Sequence, residues 1–231
     1  MASIDQIINR QFKQWEMEQK ERRERPQPPP PPPRIVTVSR EHGSRGAYFA
    51  SRLAEELQYT LMHREVIDAI CKSSGYRKHI VQSLDERYRS DIVMLVESIL
   101  TGQAVHHTDY ARNLCTVVLS MSQLGGVVLV GRAGSFILGP RRGFHIRVVC
   151  PPEKRVENLV RYTGVTKEDA SAAIERIDAE RRDMVRRMFD ADIDDPHRYD
   201  MIVNSEYIDV EDMVPSAIRA IRGKLEKLSY R

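Results

Sequence analysis

The chain has 231 residues, 41% hydrophobic and 30% charged, enough for one α/β domain with a sizeable core and some chain to spare. Its 36 basic and 33 acidic residues leave a net charge of +3 with no basic stripe interleaved with aromatics, so no nucleic-acid partner is expected. No stretch approaches the ~18 apolar residues of a membrane helix, the start lacks a signal peptide's apolar run, and Cys71, Cys115 and Cys150 form neither a CxxC pair nor an even disulfide set. A soluble cytoplasmic protein, without membrane attachment, follows as the expectation.

In chain order, Ser3 to about Arg25 reads as a helix, with Ile4, Ile7, Ile8, Phe12 and Trp15 on one face and a capping box from Ser3 and Gln6. "RPQPPPPPPR" (25–34) cannot continue it and favours a polyproline rod. Residues 1–33 are therefore an amphipathic arm on a tether. It either docks onto a second copy, a partner protein or its own domain, or is a frayed arm without a target. Residues 34–231 form the main domain.

There "RIVTV" (34–38) is a β-branched strand, followed by a helix with Ala50, Leu53, Ala54 and Leu57 on one face. A strand-like "YTLMH" (59–63) leads into a helix over 63–72, then a polar region, then helices near 90–100 and 109–123. "GVVLVG" (126–131) and "FHIRVVC" (144–150) are apolar strands. A helix over 153–162 and a long one capped by Thr166 and Asp169 and running to about Phe189 come next. "DMIVN" (200–204) is the last strand. A closing helix carries Val210, Met213, Val214, Ala217, Ile218, Ile221 and Leu225 on one face. Apolar strands alternating with amphipathic helices indicate a three-layer α/β fold with a parallel sheet covered on both faces.

The first strand runs into "SREHGSRG" (39–46) and then a helix, the arrangement in which backbone N–H groups and a helix N-terminus cradle phosphate. The usual pattern, GxxxxGK[ST], adds a lysine for the transferred phosphates and a hydroxyl for magnesium. Aligned on the GS of such a loop, Arg45 stands for a glycine, Gly46 for the lysine and Ala47 for the hydroxyl. A tight turn with no ligand is the competing reading.

"SREHGSRG" resembles the SRExGSGG signature of the cytidylate kinase-like family, whose loop lacks the usual lysine. "HREVIDAICKSSG" (63–75) with "LDER" (84–87), "GVVLVGRAGSFIL" (126–138) and "DDPHRYDMIVNS" (194–205) resemble further stretches of that family, in order. The resemblance implies a nucleoside monophosphate kinase fold of P-loop type with a helical acceptor-binding insertion near 63–123 and an arginine-bearing lid. It implies ATP with Mg2+ as donor and a nucleoside monophosphate, CMP foremost, as acceptor.

On that resemblance Ser39, Arg40, Gly43, Ser44, Arg45 and Gly46 form the donor loop, with Arg40 or Arg45 supplying the lysine's charge. Arg40 pairing with Glu41, or with an acid at the sheet edge, is the alternative. Arg132, at the end of a buried strand, is an acceptor-phosphate ligand, with a structural salt bridge as the alternative; Ala133 stands where cytidylate kinases have an aspartate. His63 occupies a position commonly held by aspartate and is the other acceptor candidate, with a partly exposed loop histidine as the alternative. Arg181, then Arg182 and Arg186, are the lid arginines. Asp178 with Arg182 and Asp183 with Arg187 also fit an ordinary salt-bridged surface. No metal site is expected: "DADIDD" (190–195) lacks the glycine and glutamate of a calcium loop, and the adjacent His106 and His107 project apart. A nucleotide-binding regulatory or assembly protein without transfer activity is the rival function, and a kinase acting on another small phosphorylated or hydroxylated acceptor is a third.

Overall fold

The structure, a computed structural model, describes residues 35–84, 86–101 and 108–229, with Lys13, Glu16, Met17, Lys20 and Glu21 of the arm. The arm's apolar stripe, the proline run and the His106–His107 pair lie outside the described residues, as does the Leu225 side chain. Five strands, β1 (Ile35–Arg40), β2 (Thr60–Met62), β3 (Val127–Val130), β4 (Phe144–Val149) and β5 (Met201–Asn204), form one sheet in the order β2-β3-β1-β4-β5, and every neighbouring pair is parallel. The expectation of an α/β fold with a parallel sheet therefore holds.

Strand alternation divides the core in two. Ile35, Val127 and Leu129 face one layer, built on α2 (Arg64–Lys72), α3 (Ser74–Gln82), α4 (Glu86–Thr101), α5 (Asp109–Leu124) and α6 (Gly134–Leu138). Val36, Val38, Val128 and Val130 face the other, where α1 (Gly46–Leu57) packs beside α9 (Val210–Ser229). Burying both faces explains why the central strands read as unbroken apolar runs.

Helix α3 replaces what reads in sequence as a polar region. Ile80 is its one buried residue, so it carries almost no apolar period; Ser73 starts it by accepting the Tyr76 N–H. Helices α7 (Pro152–Thr163) and α8 (Lys167–Phe189) follow β4. The expected cap of α8 is present: Thr166 Oγ1 accepts the Asp169 N–H and donates to the Asp169 carboxylate. Near its C-terminal half α8 lies over the ends of β1 and β3, where ligands bind in open α/β sheets.

Candidate phosphate-binding site

The loop after β1 turns on two left-handed residues, Gly43 (φ 84°) and Arg45 (φ 60°). A Cβ at Gly43 would lie 2.7 Å from the Arg155 carbonyl oxygen, so the position excludes any side chain on both conformational and steric grounds. Four successive loop carbonyls are occupied, the last three by the surrounding protein. Glu41 O accepts the Ser44 N–H and hydroxyl; His42 O accepts from Arg155 Nη1 at 3.5 Å; Gly43 O accepts from Asn158 Nδ2 at 2.9 Å; Ser44 O accepts from Ser205 Oγ at 2.8 Å. By contrast, the N–H groups of Arg45, Gly46, Ala47 and Tyr48 find no acceptor among the described residues. A 12-residue helix thus begins with its orphan donors free, which is the physical requirement for holding an anion.

Two carboxylates brace the loop. Glu41 Oε2 accepts the Cys150 N–H at 2.8 Å and lies 3.8 Å from Arg155 Nε. Asp178 Oδ1 accepts the His42 N–H at 2.9 Å, while its other oxygen takes Arg155 Nη1 at 2.5 Å. Asp178 also pairs with Arg181 at 3.1 Å, and Arg181 donates to the Arg40 carbonyl at 2.8 Å. Helix α8 is thereby tied to the loop through two residues one turn apart.

Beside the loop is a cavity of about 250 Å³ at the ends of β1 and β3. Arg40, Arg64, Arg132 and Arg181 line it with Ser39, Ser135 and Glu180, and Phe136, Ile177, Met184 and Ile193 form its apolar walls. The turn after β3 has three consecutive positive φ values, at Gly131 (80°), Arg132 (51°) and Ala133 (51°). That strained backbone presents Arg132 to Asp68 of α2, whose other oxygen accepts the Tyr110 hydroxyl at 2.8 Å. Burial first, and then the bond to Asp68, push the Tyr110 phenol far above its usual range, so it stays a donor. Arg132 Nε is buried without a hydrogen-bond partner among the described residues, an orphan donor that fits an anionic ligand. Behind Ser39, the buried Arg147 donates to its hydroxyl at 2.9 Å and pairs with Asp194.

The sequence-derived residues therefore separate. Ser39, Arg40, Arg132 and Arg181 converge on the cavity, whereas Gly43, Ser44 and Gly46 shape the loop beside it. Arg45 turns outward, 3.5 Å from Asp209, with its guanidinium over the Tyr48 and Tyr162 rings at 5.3 and 5.2 Å. His63 is the residue before α2 and outside the cavity lining; burial lowers its pKa, which favours the neutral imidazole. Arg182 and Arg186 are exposed on α8 and do not reach the cavity. Asp183 and Arg187 do form the expected surface pair at 3.3 Å, but Asp178 faces inward rather than toward Arg182. Glu41 is engaged by α7, so Arg40 is not its partner.

As site residues Arg64, Asp68, Tyr110, Arg147, Arg155, Asn158 and Asp178 escape the sequence reading, which assigns Asp178 to the surface. Three of the others left a trace: Arg147 interrupts an apolar strand, and Arg64 with Asp68 has the i,i+4 spacing of one helix face.

The free loop donors and the arginine cavity fit the phosphates of a nucleotide. Among the described residues no three His, Cys, Asp or Glu side chains converge on a metal position, and Ala47 offers no hydroxyl, so a magnesium ion would be held chiefly by the phosphates it accompanies.

The chain is similar to known proteins in sequence and in fold. A uronate isomerase of Corynebacterium glutamicum is 29% identical over 115 residues, 49% of this chain but 22% of that protein, so the chain spans about a fifth of its length. The crystal structure of an uncharacterized protein from Eubacterium ventriosum superposes with a TM-score of 0.65 at 20% identity, covering 82% of this chain and 98% of that one. A gluconokinase from Sinorhizobium meliloti gives 0.49 at 14%, covering 85% and 95%. The model of the cytidylate kinase-like family matches residues 35–207, a span that holds both the loop and the arginine cavity. The chain belongs to the cytidylate kinase-like family.

Proposed function

We propose that the protein transfers the γ-phosphoryl group of ATP, bound with Mg2+, to a nucleoside monophosphate, CMP foremost. The observation that carries this reading is the junction of free loop N–H donors with a four-arginine cavity. Phosphoryl transfer needs little covalent chemistry from the protein. It needs two phosphates held in line and positive charge where oxygens accumulate it. The backbone from Gly43 to Tyr48 takes the donor phosphates, and Arg45 closes the outer rim of that site. Arg132, held by Asp68, takes the acceptor phosphate with Arg64 beside it, and His63 lies on the acceptor side. Arg181 reaches between the two from α8 and supports the charge that develops in transfer. Arg182 and Arg186 add positive potential along the lid. Magnesium, when bound, neutralises donor phosphate charge.

A second reading, a nucleotide-binding regulatory protein without transfer, is favoured by Ala47 and Ala133. They remove the loop hydroxyl and the acceptor-side carboxylate. Purified protein incubated with ATP–Mg2+ and a panel of nucleoside monophosphates separates the two. Acceptor-dependent ADP formation supports transfer, whereas ATP binding with no acceptor-dependent turnover supports the regulatory reading. The arm we assign to assembly, with a second copy or a partner protein, in a soluble cytoplasmic enzyme. Deleting residues 1–33 should change the oligomeric state and leave nucleotide binding intact.

A further inference from the structure

We propose that Arg40, at the end of β1, delivers to the donor phosphates the positive charge that the absent loop lysine would have carried. The inference rests on the donor-site reading above and chooses between the two arginines of the loop.

Two glycines make room for this side chain. Gly46 stands where the lysine would be, and a Cβ there would lie 2.5 Å from Arg40 Cβ and 3.2 Å from Arg40 Cγ. The stem of Arg40 thus fills the space through which a side chain from the start of α1 would leave. At the other end, a Cβ on Gly131 would lie 2.6 Å from Arg40 Nη1, so the guanidinium passes over the turn after β3. A cation that conventionally comes from the helix here comes from the strand and reaches the same junction from the opposite side.

The head of Arg40 faces other cations. It lines the cavity with Arg64, Arg132 and Arg181, and no carboxylate among the described residues forms an ion pair with it; Glu65 and Asp178 act only at a distance. Burial, and then the neighbouring Arg181 cation, lower its pKa to about 10, which leaves it charged at neutral pH. A half-buried guanidinium with no ion pair among the described residues is costly until an anion meets it, and its planar fork suits phosphoryl oxygens. Its base is fixed, since β1 pairs with β4 at Arg40 and Arg181 holds its carbonyl. Arg45 already has Asp209 and two tyrosine rings as partners.

The test is equilibrium binding of ATP and of inorganic tripolyphosphate, which has neither base nor ribose, to the full-length protein. Arg40→Met should weaken both by about tenfold or more, the range of a charge-assisted hydrogen bond to phosphate. Arg40→Lys should retain most of the affinity, and the double variant Arg40→Gly with Gly46→Lys, which returns the cation to its conventional place, should recover part of it. Arg45→Ala should weaken tripolyphosphate less than Arg40→Met does. Circular dichroism checks that each variant is folded, with Arg40→Gln read in place of Arg40→Met should the latter unfold. Wild-type affinity in Arg40→Met, or a larger tripolyphosphate loss in Arg45→Ala, would overturn the assignment. Wild-type protein that binds neither ligand overturns it together with the donor site. Binding without acceptor-dependent turnover removes the transfer reading alone, and Arg40 is then judged by the binding series.

Discussion

Two turns leave the carboxyl ends of neighbouring parallel strands, and both hold non-glycine residues at positive φ, yet they deliver different things. The turn after β1 has Gly43 and Arg45 in left-handed conformations and enters a 12-residue helix. Its carbonyls are pinned by Asn158, Ser205 and Arg155, so what it offers is backbone N–H. The turn after β3 has Gly131, Arg132 and Ala133 at positive φ and enters a helix of five residues. What it offers is one side chain, Arg132, set by Asp68. Left-handed conformations at non-glycine residues cost about 1–2 kcal/mol each, so neither turn would persist without the packing that imposes it. Similar strain accompanies free main-chain donors in one place and a presented guanidinium in the other.

The contrast can be broken from either side. If the second turn serves to present a guanidinium, Arg132→Ala should lower kcat/KM for the acceptor by about a hundredfold or more while leaving the melting temperature nearly unchanged. A large loss of stability with little kinetic effect would make Arg132 a structural residue instead. The first turn should respond the other way. Gly46→Ala drives a methyl group into Arg40 and to within 3.1 Å of Val148 Cβ, and should cost about 1–3 kcal/mol of stability by denaturant titration. Ser205→Ala removes one carbonyl pin and should cost about 1 kcal/mol with weaker tripolyphosphate binding. Unchanged binding would show that the pin does not shape the donors.

A smaller, graded effect comes from pH. His42, His63 and His145 all have folded pKa values lowered first by burial, helped at His42 by Arg181. The unfolded chain therefore takes up protons at about pH 6.5, before the folded one does. Stability is fully present above that value and declines as pH falls toward the folded values. Thermal midpoints should drop between about pH 7 and about pH 5, and a flat profile would contradict the neutral assignment of these three rings.

The sheet was legible in sequence because its strands are β-branched runs closed by Pro151, Gly131 or a polar turn. The helical packing was less so: α3 has one buried residue and no periodic signature. At the site, Ser39, Arg132 and Arg181 could be named from family-like stretches, and the structure brings them to one cavity. Between Arg40 and Arg45 the sequence could not choose, since both sit in one short loop and only Gly46 and Gly131 reveal which side chain points inward. The groups that orient the loop were invisible. Asn158, Asp178 and Ser205 reach it across 115, 136 and 161 residues of chain, and nothing local to the loop records them.

The central claim, that the N–H groups opening α1 hold the donor phosphates, is tested most directly by ¹H–¹⁵N spectra of the full-length protein titrated with ATP. Large shifts are expected at the amides of Arg45, Gly46, Ala47 and Tyr48, well beyond those across α6 (Gly134–Leu138). Amides of the loop that stay in place while ATP binds elsewhere would contradict it.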